Sequence, residues 1–179
     1  MQNSPAGLRY KRKRMVYETL FSEVIEETLD HEGGYVFDKD DLGGETNWGI
    51  SKRQYPKLDI KNLTREDAID IYYKDYWLKG KCRELPNAIS PIFFDMAVNF
   101  GRSGATKVLQ EACNSQERWR SEKKLEVDGR IGPKTIQAAK GVSKDRIKAY
   151  RLLRFAKIVA KRPEQEKYWY GWYKRTTKG

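Results

Sequence analysis

The sequence predicts an all-α, α-dominated protein with a short hairpin or loop following an acidic residue, Glu32. Apolar residues recur at helical spacing in several stretches, helix boundaries are marked by capping residues, prolines and glycines, and alternating strand patterns are few. A chain of 179 residues that is 39% apolar and 12% aromatic is large enough for one domain, or two small ones, with a real core.

Residues 1–14 carry Pro, Gly and the basic run Arg9 to Arg14, and read as a flexible basic arm. From Met15 a helical period begins. Val16, Leu20, Val24 and Thr28 form one row, with Tyr17, Phe21, Ile25 and Leu29 beside it. Gly33 is a natural C-cap, which leaves Glu32 at the last turn. A carboxyl there faces the negative end of the helix dipole, and partial burial would further disfavour its charge. Both effects suit a general acid; a solvated helix-end glutamate is the competing reading.

The loop that follows holds Asp38, Asp40, Asp41, Glu45, Thr46 and Asn47 and closes at Trp48-Gly49-Ile50. A calcium loop starting at Asp38 fails, because Leu42 occupies a ligand position and Gly49 stands where a bidentate Glu is required. The remaining reading is an acidic loop or hairpin whose Trp48 either stacks on a flat or sugar-like ligand or is plain core.

Thr64 and Asp67 form a capping-box pattern, and the helix they start runs past Tyr72, Tyr73, Tyr76 and Trp77 to end near Gly80. Those aromatics read as core and groove wall. Ser90-Pro91 is expected to cap an apolar helix, Ile92 to Phe100, with Asp95 and Asn99 on one side, free to support a site or to satisfy each other. Gly101 to Gly104 breaks it, and Ala105 to Cys113 begins the next helix. Val127 to Pro133 is a turn with Pro133 at a helix start. Ser143 caps a long basic amphipathic helix to about Lys161, and Pro163 opens the last aromatic segment.

Composition narrows the chemistry. A net charge of +11 calls for an anionic partner such as nucleic acid, a membrane surface or bacterial cell wall. One histidine, His31, gives a zinc site or a Ser-His-Asp triad little material, so hydrolytic chemistry would rest on carboxylates, with no metal and no cofactor. Cys82 and Cys113 lack metal-type spacing, and nothing in the sequence supports a disulfide between them. With neither a signal peptide nor an apolar run of about 18 residues, the chain is expected to stay in the cytoplasm, without stable membrane insertion.

His31-Glu32-Gly33-Gly34-Tyr35 and Asp41-Leu42-Gly43-Gly44-Glu45-Thr46-Asn47-Trp48-Gly49-Ile50 resemble the N-terminal signature of glycoside hydrolase family 108, bacteriophage endolysins and related bacterial muramidases. The second half resembles the predicted peptidoglycan-binding region usually paired with it. The matching stretches are Phe94 to Gly101, Leu109-Gln110, Val127 to Thr135, and Gly171-Trp172 with Arg175. The resemblance covers roughly Val16 to Arg175. It implies a lysozyme-like fold, with residues 15–88 as the catalytic region and 89–179 as a helical peptidoglycan-binding-like region packed against it.

Carried over residue by residue, the resemblance makes Glu32 the catalytic acid. Asp41 and Thr46 take up the Glu, Asp and Thr arrangement of phage lysozymes, although the last gap is one residue short and Leu42 stands where a proline is common. Trp48, Asn47, Tyr35 and Asn99 are the expected substrate-binding residues, with Glu45, Asp38 and Asp40 as alternatives for the partner carboxylate. The implied activity is hydrolysis of the β-1,4 bond between N-acetylmuramic acid and N-acetylglucosamine. The implied partner is peptidoglycan, and the protein would be a monomer that waits in the host cytoplasm and acts on the wall in the periplasm. A non-catalytic wall-binding protein and a basic nucleic-acid binder are the other classes; the latter explains the charge but not the Glu-Gly-Gly and Asn-Trp-Gly-Ile stretches.

Overall fold

The computed structural model describes residues 18–31, 34–37, 45–116 and 124–178. The chain is α-dominated. Helix α1 (Thr19–His31) leads to a small sheet of β1 (Val36–Phe37), β2 (Glu45–Asn47) and β3 (Ile50–Ser51). Then come α2 (Arg65–Ile71), which continues as a π-helical turn over Tyr72–Leu78, a 3-10 turn at Cys82–Glu84, and α3 (Ser90–Asn114). Helices α4 (Pro133–Ala139) and α5 (Lys144–Lys161) follow, and a 3-10 turn at Pro163–Tyr168 runs into α6 (Trp169–Thr177).

The periodicity of α1 becomes its buried face. Phe21, Ile25 and Leu29 are buried, and Thr28 joins them with its hydroxyl donating to the Val24 carbonyl at 3.0 Å. Phe21 meets Tyr73 and Trp77 of the π-helical turn and Phe94 of α3 edge-on, with ring centroids 4.9, 5.5 and 5.8 Å away. Edge-to-face geometry sets the positive rim of one ring against the negative face of the next. That aromatic cluster joins α1, the π-helical turn and α3.

Glu18, just before α1, ties the start of that helix to the π-helical turn and to the 3-10 turn by polar contacts. Its carboxylate accepts from Tyr73 Oη at 3.0 Å, from Trp77 Nε1 at 3.3 Å, and from the Arg83 guanidinium. Partial burial opposes its charge, but the hydrogen bonds from Arg83, Trp77 and Tyr73 outweigh it and hold the carboxyl below its ordinary value.

The caps read from sequence are in place at two helices. Thr64 and Asp67 form a reciprocal capping box on α2, and Ser143 Oγ accepts from Arg146 N at 3.3 Å on α5. Ser90 differs from its expected role. It is the first residue of α3, and its hydroxyl donates to the Cys82 carbonyl at 2.6 Å, fastening the 3-10 turn to the helix. The predicted break after Phe100 is narrower than the glycine run suggested: one residue, Gly101 (φ 71°, ψ 161°), kinks α3, which then resumes to Asn114. Cys82 and Cys113 are both buried, and neither is in a disulfide among the described residues.

Beyond the kink, α3 organises the second half. Buried Gln110 donates through Nε2 to Asp128 Oδ1 at 2.9 Å, the Arg130 carbonyl at 3.2 Å and Thr135 Oγ1 at 3.3 Å, and accepts from Gly129 N at 3.0 Å. One amide thus holds the whole turn that precedes α4. Gly129 adopts φ +76°, and a Cβ there would lie 2.3 Å from Ser103 Oγ, so only glycine lets the turn approach α3.

Helices α5 and α6 are bolted to α3 by charge. Asp95 forms an ion pair with Arg151 Nη2 at 2.5 Å and accepts from Arg175 Nε at 2.9 Å, with Arg151 only 2% exposed. Phe155 adds a stack on Trp172 at 4.5 Å and a contact with Phe100 at 4.8 Å. A single contiguous core runs from Phe21 of α1 to Ile147 of α5.

Two outcomes test this frame. Asp95→Ala leaves two guanidinium groups without their carboxylate and should cost about 3–5 kcal/mol, a fall of about 6–20 °C in thermal midpoint. Glu18→Gln should cost about 1–2 kcal/mol at pH 7, as expected for hydrogen bonds to a charged group. Because the folded carboxyl sits below its ordinary value of 4.5, its contribution is complete above that value and fades as pH falls through the folded one. Melting curves of wild type and Glu18→Gln should therefore converge as pH drops below 4.5.

Candidate active site

The site is built on the three-stranded antiparallel sheet, in spatial order β1-β2-β3. Val36 pairs with Thr46 and Phe37 with Glu45, while Thr46 pairs with Ser51 and Asn47 with Ile50. Strand alternation puts Asn47 and Ile50 on the face towards the core. Thr46, Val36 and Ser51 take the opposite face, where Val36 is 59% exposed. Thr46, half-buried at the centre of the sheet, therefore presents its hydroxyl to the outer face, where it can orient a water.

Trp48 and Gly49 form the two-residue turn between β2 and β3, and both have positive φ, 53° and 74°. That is the backbone of a type I′ hairpin turn, whose first position ordinarily takes Asn, Asp or Gly. A tryptophan held there stores about 1–2 kcal/mol of strain, and such strain persists only where the surroundings over-determine it. They do so here. Tyr72 Oη donates to the Trp48 carbonyl at 3.0 Å, and Asn47 Nδ2 donates to the Ile60 and Leu63 carbonyls at 3.1 and 3.2 Å. The partly buried indole rests against the core.

Of the other expected site residues, Tyr35 is 41% exposed and donates from Oη to Glu45 Oε1 at 3.2 Å, a diagonal pair across β1 and β2. Desolvation and the Glu45 carboxylate raise the Tyr35 phenol above its ordinary value. Glu45, an alternative partner carboxylate, thus sits at the start of the central strand with a phenol on it. Asn47 is buried, and its amide is turned inward to hold the 60–63 segment rather than outward. Asn99 is exposed, with Nδ2 donating at 2.7 Å to the Asp95 carbonyl of its own helix. It does not bond the Asp95 carboxylate, which is taken by Arg151 and Arg175. Glu32, Asp41, Asp38 and Asp40 lie outside the described residues.

The wall behind the hairpin contains a group that sequence reasoning missed. Tyr55, following β3, donates from Oη to Asp75 Oδ2 at 2.9 Å, and Asp75 also pairs with Lys79 at 2.5 Å. Burial, then the neighbouring Tyr76 and Asp75, push the Tyr55 phenol far above its usual range. Burial works against Asp75, yet the bonds from Lys79 and Tyr55 keep its carboxyl below the ordinary value. These groups brace the segment after β3 against the π-helical turn.

With this geometry in view, the comparisons are specific. The model of glycosyl hydrolase 108 matches residues 25–101. The chain carries a glycosyl hydrolase 108 domain. Residues 104–177 match a second family, described as a predicted peptidoglycan domain. The two matches meet at the Gly101 kink inside α3, whereas sequence reading divides the chain at 88/89. The chain is also similar to a solved structure, that of Brucella abortus SagA, with a TM-score of 0.70 and 29% identity. That match covers 88% of this chain and 89% of SagA. Among curated proteins no relative matches. The chain is a peptidoglycan-degrading glycoside hydrolase with a lysozyme-like, α-dominated fold. Among its described residues no helix is long and apolar enough to cross a membrane.

The inward turn of Asn47 separates structure from substrate contact. Asn47→Ala removes a buried donor from two carbonyls and should cost about 2–3 kcal/mol, lowering the thermal midpoint by about 4–12 °C. Assayed well below that midpoint, KM for wall fragments should stay within twofold of wild type. A large rise in KM with an unchanged midpoint would make Asn47 a substrate ligand instead.

Proposed function

We propose that this glycoside hydrolase is a phage endolysin of the muramidase type, cutting the β-1,4 bond between N-acetylmuramic acid and N-acetylglucosamine. The match of residues 25–101 to glycosyl hydrolase 108 carries the reading, because the Glu-Gly-Gly stretch and the strained Trp48-Gly49 turn both fall inside it. Residues 15–88 supply catalysis and 89–179 hold the wall, with 1–14 as a basic arm. The protein acts as a monomer, waits in the host cytoplasm, and reaches the periplasmic wall on release.

In this mechanism Glu32 is the general acid that protonates the leaving glycosidic oxygen. Asp41 is the partner carboxylate that activates water or stabilises the oxocarbenium-like centre. Thr46 supports the assignment of a water-positioning hydroxyl by its place on the outer face of β2. Trp48 packs a sugar face, and Tyr35 and Asn99 flank the glycan. The basic balance of the chain, +11, favours retention on an anionic wall.

The test is turbidity loss of outer-membrane-stripped Gram-negative cells, with mass spectrometry of the released fragments. Wild type should clear the cells and expose new reducing ends on muramic acid. Glu32→Gln should fold normally and lose at least about a hundredfold in rate, in keeping with removal of a general acid. Equal clearing by both would remove Glu32 from the mechanism. Binding to walls without released sugar ends would replace the enzyme reading with a binding one.

A further inference from the structure

Five aromatic side chains fall within six residues, Tyr168 to Tyr173, and packing accounts for only some of them. Trp172 stacks on Phe155 at 4.5 Å, and Tyr168 tilts against Trp172 at 5.9 Å. Tyr170, two residues before Trp172, lies on the far side of α6, with Tyr173 on its flank. Tyr170 and Tyr173 are 69% and 45% exposed. With Tyr168 they make three of the seven large hydrophobic side chains exposed among the described residues. Exposed apolar residues scattered singly are ordinary, whereas a cluster on one short helix calls for a reason.

The arrangement on that side is specific. Tyr170 and Tyr173 are surface neighbours at a spacing of three, and Lys174 follows Tyr170 at four. Lys174 Nζ stands 5.4 Å from the Tyr170 ring centroid, a cation over one face of the ring. That contact orients the ring while most of it still meets solvent. Gly171 belongs to the same exposed surface. A Cβ there would meet nothing within 4 Å, and its φ is not positive, so neither packing nor turn geometry requires a glycine. Inside a helix glycine is destabilising relative to alanine. What it leaves is bare backbone beside Tyr170 and Lys174, open to close approach. Of the stretch Gly171-Trp172 with Arg175, Trp172 is explained by its stack and Arg175 by its pairing with Asp95; Gly171 is explained by neither.

We infer that the exposed face of α6 formed by Tyr170, Gly171, Tyr173 and Lys174 is a saccharide-stacking platform that holds the glycan strand of peptidoglycan outside the cutting centre. The inference rests on the peptidoglycan reading of the preceding section and names the surface that does the holding. The face of an aromatic ring is electron-rich, and the C–H bonds on one side of a pyranose form a flat, weakly positive surface that lies against it. Tyrosine adds a hydroxyl at the rim, within reach of the sugar's own polar groups. Lys174 supplies the charge complement, because the peptide branches of the glycan carry carboxylates. A face that enters lipid presents Leu, Phe or Trp; α6 holds no aliphatic side chain, and its exposed aromatic rings are tyrosines. The helix also lies within residues 104–177, the stretch that matches a predicted peptidoglycan domain. Just past α6, Lys178 pairs with Glu27 of α1 at 3.7 Å, which ties the helix bearing the platform to the helix that leads to Glu32.

The experiment is co-sedimentation of the full chain with purified Gram-negative sacculi in the cold, with thermal midpoints and steady-state kinetics on the same variants. Tyr170→Ala/Tyr173→Ala should weaken binding to sacculi at least tenfold with an unchanged midpoint. Tyr170→Phe/Tyr173→Phe keeps the ring faces and should stay within twofold of wild type. Gly171→Gln should hold or raise the midpoint, because a good helix former replaces glycine, and yet weaken binding. In the kinetic arm the double alanine variant should raise KM for sacculi with kcat held, and change neither value on a soluble glycan tetrasaccharide. Unchanged binding in the double alanine variant, or equal losses in the alanine and phenylalanine variants, would overturn the platform. An equal loss on the tetrasaccharide would place the tyrosines in the cutting centre and overturn a separate surface. Vesicles of phosphatidylethanolamine and phosphatidylglycerol, and duplex DNA, serve as the other probes. A tyrosine-dependent loss on either that exceeds the loss on sacculi would overturn the saccharide assignment. Sedimentation needs no bond cleavage, so its failure is separable from failure of the muramidase assay.

Discussion

Much of this molecule depends on the carboxylate of Asp95. Its two oxygens reach Arg151 on α5 and Arg175 on α6, residues far along the chain, and thereby fix both helices against α3. A carboxylate shared by two guanidinium groups is strong in geometry but expensive in desolvation, and swapping such a triad for apolar side chains often costs nothing in stability. What the triad supplies is direction. Planar, forked donors on one acceptor allow few relative orientations of the helices that carry them, whereas the stack of Phe155 on Trp172 tolerates sliding. The two matched regions also divide inside α3 at Gly101, so a single helix carries residues of both. The kink lets its first half pack on Phe21 and Trp77 while its second half presents Gln110 to the turn before α4.

The hairpin obeys a different logic. Its turn is held from three directions: the Tyr72 hydroxyl on the Trp48 carbonyl, the Asn47 amide on the 60–63 segment, and the Tyr55–Asp75 pair behind β3. A two-residue turn led by tryptophan would not choose this backbone unaided. The surrounding bonds oblige the indole to project where it does, partly buried against the core. The π-helical turn over Tyr72–Leu78 contributes directly, because it carries Tyr72 to the hairpin and Tyr73 and Trp77 to α1 from one short segment.

Local features were legible in the sequence because they depend on neighbours in the chain. The capping box at Thr64, the Ser143 cap, Pro133 at a helix start and the part of the α1 rows from Leu20 to Leu29 each need only a few residues, and each formed as read; Met15, Val16 and Tyr17 lie outside the described residues. Distant pairings were not legible. Asp95 and Asn99 share a side of α3 as their spacing requires, yet their partners differ: Asn99 turns to its own backbone, while Asp95 reaches across to α5 and α6. Arg151 left a faint signal, lying on the Ile147–Phe155 row at spacings of four, where an apolar residue would be expected. Ser90 looked like a cap because Ser-Pro so often is one, but a carbonyl from the preceding turn claimed its hydroxyl. At Asn47-Trp48-Gly49 the register decided the outcome. Had Asn47 been the first turn residue it would have faced outward; with Trp48 in that place, Asn47 belongs to β2 and points in.

The distribution of charge bears on how a strongly basic chain can be selective. An exposed lysine attracts any polyanion, and at physiological salt its reach is about 8 Å. Surface charge therefore concentrates the protein near a wall without choosing where on the wall it sits. Charges with little access to solvent are screened far less, and those around Arg151 are also fixed in direction by Asp95 and by the helices themselves. Arg151 is such a charge, 2% exposed and paired with Asp95 at 2.5 Å, whereas Lys178 is 70% exposed. Attraction and recognition can thus be carried by the same residue types, with burial and geometry, not the number of charges, separating the two.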